Sequence, residues 1–192
     1  ISKKKIGLSP EKRVIGYVGR ISKEKNTHVL LNAFQKLRNQ KNVQLLMVGD
    51  GPLDQTKKFR SLKNCKVTNF VSNVQDYLKA MDVFVMPSLT ETTSLATLEA
   101  MSCGLPVITS KVGFIKQYLV KNHNGLFFPR NSSPMLALKI EKILHNPELG
   151  EKLGKNARKM VAYSFSWERS INRIKRLLLQ HSLRNIPSKL EQ

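Results

Sequence analysis

Two carboxylates, Glu91 and Glu99, stand eight positions apart in Pro87-Ser88-Leu89-Thr90-Glu91-Thr92-Thr93-Ser94-Leu95-Ala96-Thr97-Leu98-Glu99-Ala100-Met101. The stretch reads as the end of a buried strand, a small polar turn and a helix that starts near Ser94. The first turn of a helix presents unpaired N–H groups and the positive end of its dipole, which suits a phosphate. Glu91 precedes that tip and faces whatever the phosphate carries, while Glu99 lies farther into the helix, where it is placed to accept hydrogen bonds from ribose hydroxyls. The plainer alternative makes Glu91 a capping acid and Glu99 a surface residue with local ion pairs.

A second constellation is Gly19-Arg20-Ile21-Ser22-Lys23-Glu24-Lys25-Asn26. Gly19 ends a strand where backbone must turn sharply or approach a ligand. Arg20 and Lys25 bracket the loop and can converge on a diphosphate, one as a planar fork and the other as a point charge. The spacing is neither a dinucleotide fingerprint nor a P-loop, and in so basic a chain the pair is also open to being incidental. A third element, Val67-Thr68-Asn69-Phe70-Val71-Ser72-Asn73, can close over a nucleobase through Phe70 and Val71, or bury Phe70 as core. Gly49-Asp50-Gly51-Pro52 reads as a tight turn that shapes the site.

The elements that must position these residues are legible in the hydrophobic pattern. Val14–Val18, Val43–Val48, Cys65–Phe70, Val83–Met86, Pro106–Thr109 and Gly125–Phe128 read as strands. Helical periods lie between them: a segment with a possible Thr27 cap that aligns Leu30, Phe34 and Leu37, then 53–62, 74–81, and 95–101 with Leu95, Leu98 and Met101 on one face. Cys103-Gly104-Leu105-Pro106 marks a helix stop. Such alternation predicts an α/β, Rossmann-like three-layer fold in which helices cover both faces of a six-stranded parallel sheet, with ligands beyond the carboxyl ends of the strands. C-terminal helices follow at 135–144, 147–161 and 167–179. The last carries a Trp167, Ile171, Ile174, Leu178 stripe opposite Arg169, Arg173 and Arg176.

Composition narrows the function classes. The 192 residues suffice for one domain with a real core. Basic residues number 33 against 13 acidic, a net charge of +20 that attracts polyanions and spreads along the whole chain. Two cysteines and four scattered histidines show no ligand spacing, so no metal is assigned, and the cysteines read as reduced thiols of the cytoplasm. No apolar run reaches the length of a membrane span, and no secretory signal opens the chain. The first residue, Ile1, is expected to continue from a longer protein.

Read in order, Gly19-Arg20 with Lys25, Val48-Gly49-Asp50-Gly51-Pro52, Asp82-Val83-Phe84-Val85-Met86-Pro87-Ser88, Glu91 with Glu99-Ala100-Met101, and Gly104-Leu105-Pro106-Val107-Ile108 resemble the carboxyl-terminal half of a retaining glycosyltransferase of family 4, of GT-B architecture. The resemblance runs from about Lys12 to Leu179, and Phe165-Ser166-Trp167-Glu168 resembles the start of the family's final helix, which reaches back toward the partner domain. It implies that Arg20 and Lys25 hold the donor's diphosphate, that Glu91 lies beside the transferred sugar and Glu99 on the ribose, that Thr93, Ser94 and Leu95 cradle phosphate, and that Phe70 and Val71 border the base, with Gly19 a substrate-binding backbone position. The family commonly has glycine-containing residues after the first Glu, where this chain has Thr92-Thr93-Ser94.

The expected function is donor binding in a hexosyltransferase that uses a UDP- or GDP-sugar without a cofactor or metal, the chain having no Asp-x-Asp. Residues 1–180 form the donor domain and 181–192 a loose tail. The amino-terminal acceptor domain is absent, so the isolated chain is expected to bind donor weakly, transfer little, and expose apolar surface meant for that partner. A donor-binding subunit of a two-chain transferase is the alternative. A basic nucleic-acid-binding domain is a weaker one, disfavoured by few aromatics and no recognised module. The basic last helix also fits docking at the cytoplasmic face of an anionic membrane, with a lipid acceptor, although for that helix alone the favoured reading is a solvated basic face on a helix packed through its Trp167 stripe.

Overall fold

The apolar runs become six parallel strands in a computed structural model that describes residues 3–38 and 40–184. They are β1 (Arg13–Val18), β2 (Val43–Val48), β3 (Cys65–Val67), β4 (Val83–Met86), β5 (Val107–Ser110) and β6 (Leu126–Phe128). The sheet order is β3-β2-β1-β4-β5-β6. Every residue of β2, β4 and β5 is buried, as strands covered on both faces require. The register pairs Val14 with Gln44 and Val18 with Val48 between β1 and β2, and Ile15 with Val83 between β1 and β4.

Helices fill the crossovers: α1 (Thr27–Gln35), α2 (Leu53–Arg60), α3 (Val74–Leu78), α4 (Leu95–Ser102) and α5 (Ile115–Tyr118). Right-handed crossovers send the connections on the two sides of β1 and β4 to opposite faces of the sheet. Three longer helices follow, α6 (Ser133–Leu144), α7 (Pro147–Ser164) and α8 (Trp167–Arg184). The sequence sets their starts: Ser132 accepts from the Met135 amide ahead of α6, and Asn146 accepts from Leu149 ahead of α7, each with proline in the first turn. α6 packs on α1, and α7 packs on α4. The expected six-stranded, Rossmann-like architecture is the one observed.

Several boundaries differ from the sequence reading. Thr27 is the first residue of α1 rather than its cap; Asn26 precedes it with a left-handed backbone and no side-chain cap. β3 stops at Val67, because the next residues leave the sheet to form a loop. Leu95 does not join the buried stripe of Leu98 and Met101 but is 71% exposed at the tip of α4. Most of the Trp167 stripe finds no cover among the described residues: Trp167, Ile174 and Leu178 are exposed, and Ile171 is half-buried. α8 continues to Arg184, so the expected tail at 181–192 falls on the end of that helix, and beyond it on 185–192, outside the described residues.

At the amino-terminal edge of the sheet, Asp82 accepts hydrogen bonds from Lys3 Nζ at 2.9 Å, Arg13 Nη1 at 2.8 Å and the Val14 amide at 2.8 Å. This clasp ties β1 and β4 together at the end opposite their loops. Both cysteines are free. Burial pushes the Cys65 thiol up to about 12, which keeps it protonated and unreactive.

Candidate functional site

With all strands parallel, the loops after β1, β2, β3 and β4 emerge at one edge of the sheet. The order reverses between β1 and β4, where neighbouring strands send their chains to opposite faces and leave a crevice.

The loops after β1 and β2 lie backbone on backbone. The Gly19 amide donates to Val48 O at 2.9 Å and the Ile21 amide to Asp50 O at 2.8 Å. Gly49 has φ 134°, and a Cβ there would lie 2.1 Å from Gly19 O. No side chain fits between the loops. Tyr17, fully buried, donates its hydroxyl to Arg20 O at 2.6 Å. Burial, with the negative charges of Glu91 and Glu24, pushes the Tyr17 phenol far up, so it stays a donor. Arg20 is thereby fixed at its backbone while its exposed guanidinium has no partner among the described residues. It lines a cleft of about 400 Å³ with Gly19, Asp50, Phe70, Val71 and Val74. Phe70 is 90% exposed and is not core.

Across the crevice, Lys25 Nζ lies 2.8 Å from Glu91 Oε1. The same oxygen accepts from Ser88 Oγ at 2.6 Å, and Ser110 donates to the Ser88 carbonyl. The Asn26 amide group donates to the carbonyls of Pro87 at 3.0 Å and Arg130 at 2.6 Å. The Leu89 amide donates to Glu24 O at 3.0 Å. The loop after β1 is therefore stitched to the loop after β4 by side chain and backbone together.

The polar turn forms as expected, and it does so without a glycine. Ser94 adopts φ 58° at the start of α4. Its hydroxyl is engaged with Thr97 Oγ1 at 2.8 Å, and no side chain caps the helix. The Thr97 amide donates to Ser94 O at 3.0 Å, and the Leu95 and Ala96 amides ahead of it remain available to an anion. The turn is braced from behind: the Phe114 amide donates to Thr92 O at 2.8 Å, and Tyr118 donates to Thr93 O at 2.7 Å. Gly113 sits at φ 52° against Glu91, where a Cβ would come 1.6 Å from the Glu91 carbonyl oxygen.

The structure brings Lys25 and Glu91 into contact, gathers Gly19, Arg20, Phe70 and Val71 around one cleft, and places Thr93, Ser94 and Leu95 directly after Glu91. Glu99 stands apart from that pair. It is exposed on α4, has no partner among the described residues, and partial burial holds its carboxyl above the usual range. Sequence reasoning missed Tyr17, Asn26, Ser88, Ser110, Gly113 and Tyr118. Asn26 and Gly113 carried a signal, as residues that favour turns; the hydroxyls carried none, because a Ser or Tyr in a pattern does not say which oxygen it will donate to, whether a near neighbour (Tyr17 to Arg20, Ser88 to Glu91) or a distant one (Tyr118 to Thr93). Chemically, the crevice offers a free guanidinium, an uncapped helix start and a carboxylate already held by an ammonium. These suit an anion bearing a hydroxylated group.

Comparisons with known proteins agree with that geometry. A family model described as "Glycosyl transferases group 1" matches residues 1–160. The capsular polysaccharide biosynthesis glycosyltransferase CapM of Staphylococcus aureus is 32% identical over 166 residues, covering 81% of this chain and 44% of the relative. The chain thus spans less than half of that relative's length. Among solved structures, Anabaena HepE in complex with UDP-glucose superposes with a TM-score of 0.84 at 23% identity, covering 93% of this chain and 51% of that one. The C-terminal domain of a glycosyl transferase group 1 family protein (LpcC) from Francisella tularensis superposes with a TM-score of 0.78 at 23% identity, covering 86% of this chain and 91% of that domain. With the family model spanning most of the sheet and the fold matching that isolated domain nearly end to end, the chain belongs to the group 1 glycosyltransferases, family 4 of the GT-B architecture, as their carboxyl-terminal domain.

Proposed function

We infer that residues 1–180 form the donor half of a retaining glycosyltransferase that moves a hexose from a UDP- or GDP-sugar to an acceptor held by an amino-terminal domain outside this chain. Two observations support this reading together: a cleft of about 400 Å³ at the loops after β1, β2 and β3, lined by an Arg20 that has no partner among the described residues, and the Lys25–Glu91 contact that joins the loop after β1 to the turn leading into an α4 without a side-chain cap. Departure of the nucleotide develops negative charge on the β-phosphate. Arg20, Lys25 and the amides of Thr93, Ser94 and Leu95 stabilise that charge without rearranging. Glu91, buried against Lys25 and Ser88, orients the sugar hydroxyls. Glu99 accepts from the ribose. Phe70 and Val71 border the base, a placement supported by the full exposure of an aromatic ring beside Arg20. That a fold neighbour was solved with UDP-glucose favours uridine nucleotides as the first to try.

The test is calorimetry on this chain with UDP-, GDP- and ADP-sugars, repeated with Arg20→Ala and Glu99→Ala. Weaker donor binding is expected in both folded variants, Arg20→Ala the more severely and Glu99→Ala roughly tenfold; unchanged affinity in both removes the site assignment. Weak donor binding and negligible transfer are expected of the isolated chain, and clear turnover with a simple acceptor would contradict the need for a second domain. A separately encoded acceptor subunit is the second reading; the exposed apolar residues Leu89, Leu95 and Phe114 suit a partner of either kind. Expression with and without the sequence that precedes Ile1 in its gene separates the two.

A further inference from the structure

We propose that Tyr118 is a positioning residue that sets the Thr93–Leu95 turn for a phosphate. The inference rests on the donor-site reading and deepens it. This turn lacks the glycines that would let backbone reach a phosphate at low strain, so something else must hold it in place. Ser94 takes the left-handed backbone at φ 58°, a conformation that a non-glycine residue keeps only when its surroundings impose it.

Neighbouring hydroxyls impose it. The Tyr118 hydroxyl donates to Thr93 O at 2.7 Å, pinning the carbonyl immediately before Ser94. The Thr97 hydroxyl faces the same phenol and lies 2.8 Å from Ser94 Oγ. Thr93, Ser94 and Thr97 thus share one hydroxyl network centred on a single ring. That network also occupies the Ser94 oxygen, which would otherwise cap α4 and compete with an anion for its amides. The ring cannot swing away. It is 4% exposed, tilted against Phe114 with centroids 6.2 Å apart, and edge-on to Phe165 at 5.7 Å. Burial pushes the phenol well above its ordinary value, so it remains a donor throughout the physiological range. Tyr118 touches no substrate in this arrangement; it acts through the turn.

The experiment compares wild type with Tyr118→Phe, which keeps the ring and removes the hydroxyl. Calorimetry measures UDP against UMP, and GDP against GMP, while hydrogen exchange reports on the amides of residues 93–96. The expected result is about tenfold weaker diphosphate binding with monophosphate binding unchanged, and faster exchange confined to 93–96, the size of one lost buried hydrogen bond. Thr97→Val is expected to act in the same direction and carries the test if Tyr118→Phe fails to fold. Equal weakening of diphosphate and monophosphate, or an unchanged ratio in both variants, overturns the proposal while leaving the donor site intact. A wild type that binds diphosphate no more tightly than monophosphate overturns the donor reading and this inference with it.

Discussion

Lys25 and Glu91, 66 residues apart in the chain, meet at 2.8 Å across the crevice between β1 and β4, with the carboxylate side chain only 8% exposed. Removing one partner leaves a nearly buried charge. Lys25→Ala is expected to cost roughly 2 kcal/mol, below a fully buried pair because the ammonium is partly solvated. Glu91→Gln, which leaves unpaired only the better-solvated ammonium, should cost less. Urea unfolding of both variants checks the order.

Phe70→Ala separates binding from stability. A ring that is 90% exposed contributes little to folding, so the unfolding midpoint should stay where it is. Nucleotide affinity should fall roughly tenfold if the ring stacks on the base. A Phe70→Ala protein that binds nucleotide as wild type does would take Phe70 out of the site.

Glu99 is assigned to ribose, and the assignment is testable by pairing protein and ligand changes. Wild type should bind UDP roughly tenfold more tightly than its 2′,3′-dideoxy analogue. Glu99→Ala should lose that preference and bind both alike. A preference retained in the variant points the hydroxyls elsewhere.

Asp82 gives a pH signature. Burial alone would raise its carboxyl, but hydrogen bonds from Lys3, the Val14 amide and Arg13 outweigh that and hold it below the usual value. The unfolded chain therefore takes up this proton more readily than the folded one. The contribution is fully present above about pH 4, the ordinary carboxylate value, and is lost as pH falls through the lower folded value. Asp82→Asn should cost about 2 kcal/mol near neutral pH. The gap from wild type should close in acid, as read by unfolding at pH 7 and pH 3.

Gly113→Ala should be among the most damaging single changes. Its Cβ would meet the Glu91 carbonyl at 1.6 Å, and its backbone at φ 52° already disfavours a side chain. A loss of about 3 kcal/mol or more is expected, together with loss of nucleotide binding because Glu91 must shift. Binding and unfolding measured together test this.

The chain's linear order fixed a good deal. Unbroken apolar runs such as Leu45-Leu46-Met47-Val48 and Val83-Phe84-Val85-Met86 can only be strands covered on both faces, and their alternation with helical periods requires a parallel sheet with all ligand loops at one edge. Arg20, Lys25, Glu91 and the α4 start were legible because charge and turn chemistry are local properties. Only the tertiary structure decided what those residues meet. Lys25 reaches Glu91, and Tyr118 reaches Thr93, because the sheet order sets β1 beside β4 and β4 beside β5, an adjacency that no local period encodes. The same holds for exposure. Leu95, Phe70 and Trp167 each fit an apolar pattern, but a pattern names a face and not what covers it; among the described residues nothing does, and all three are exposed.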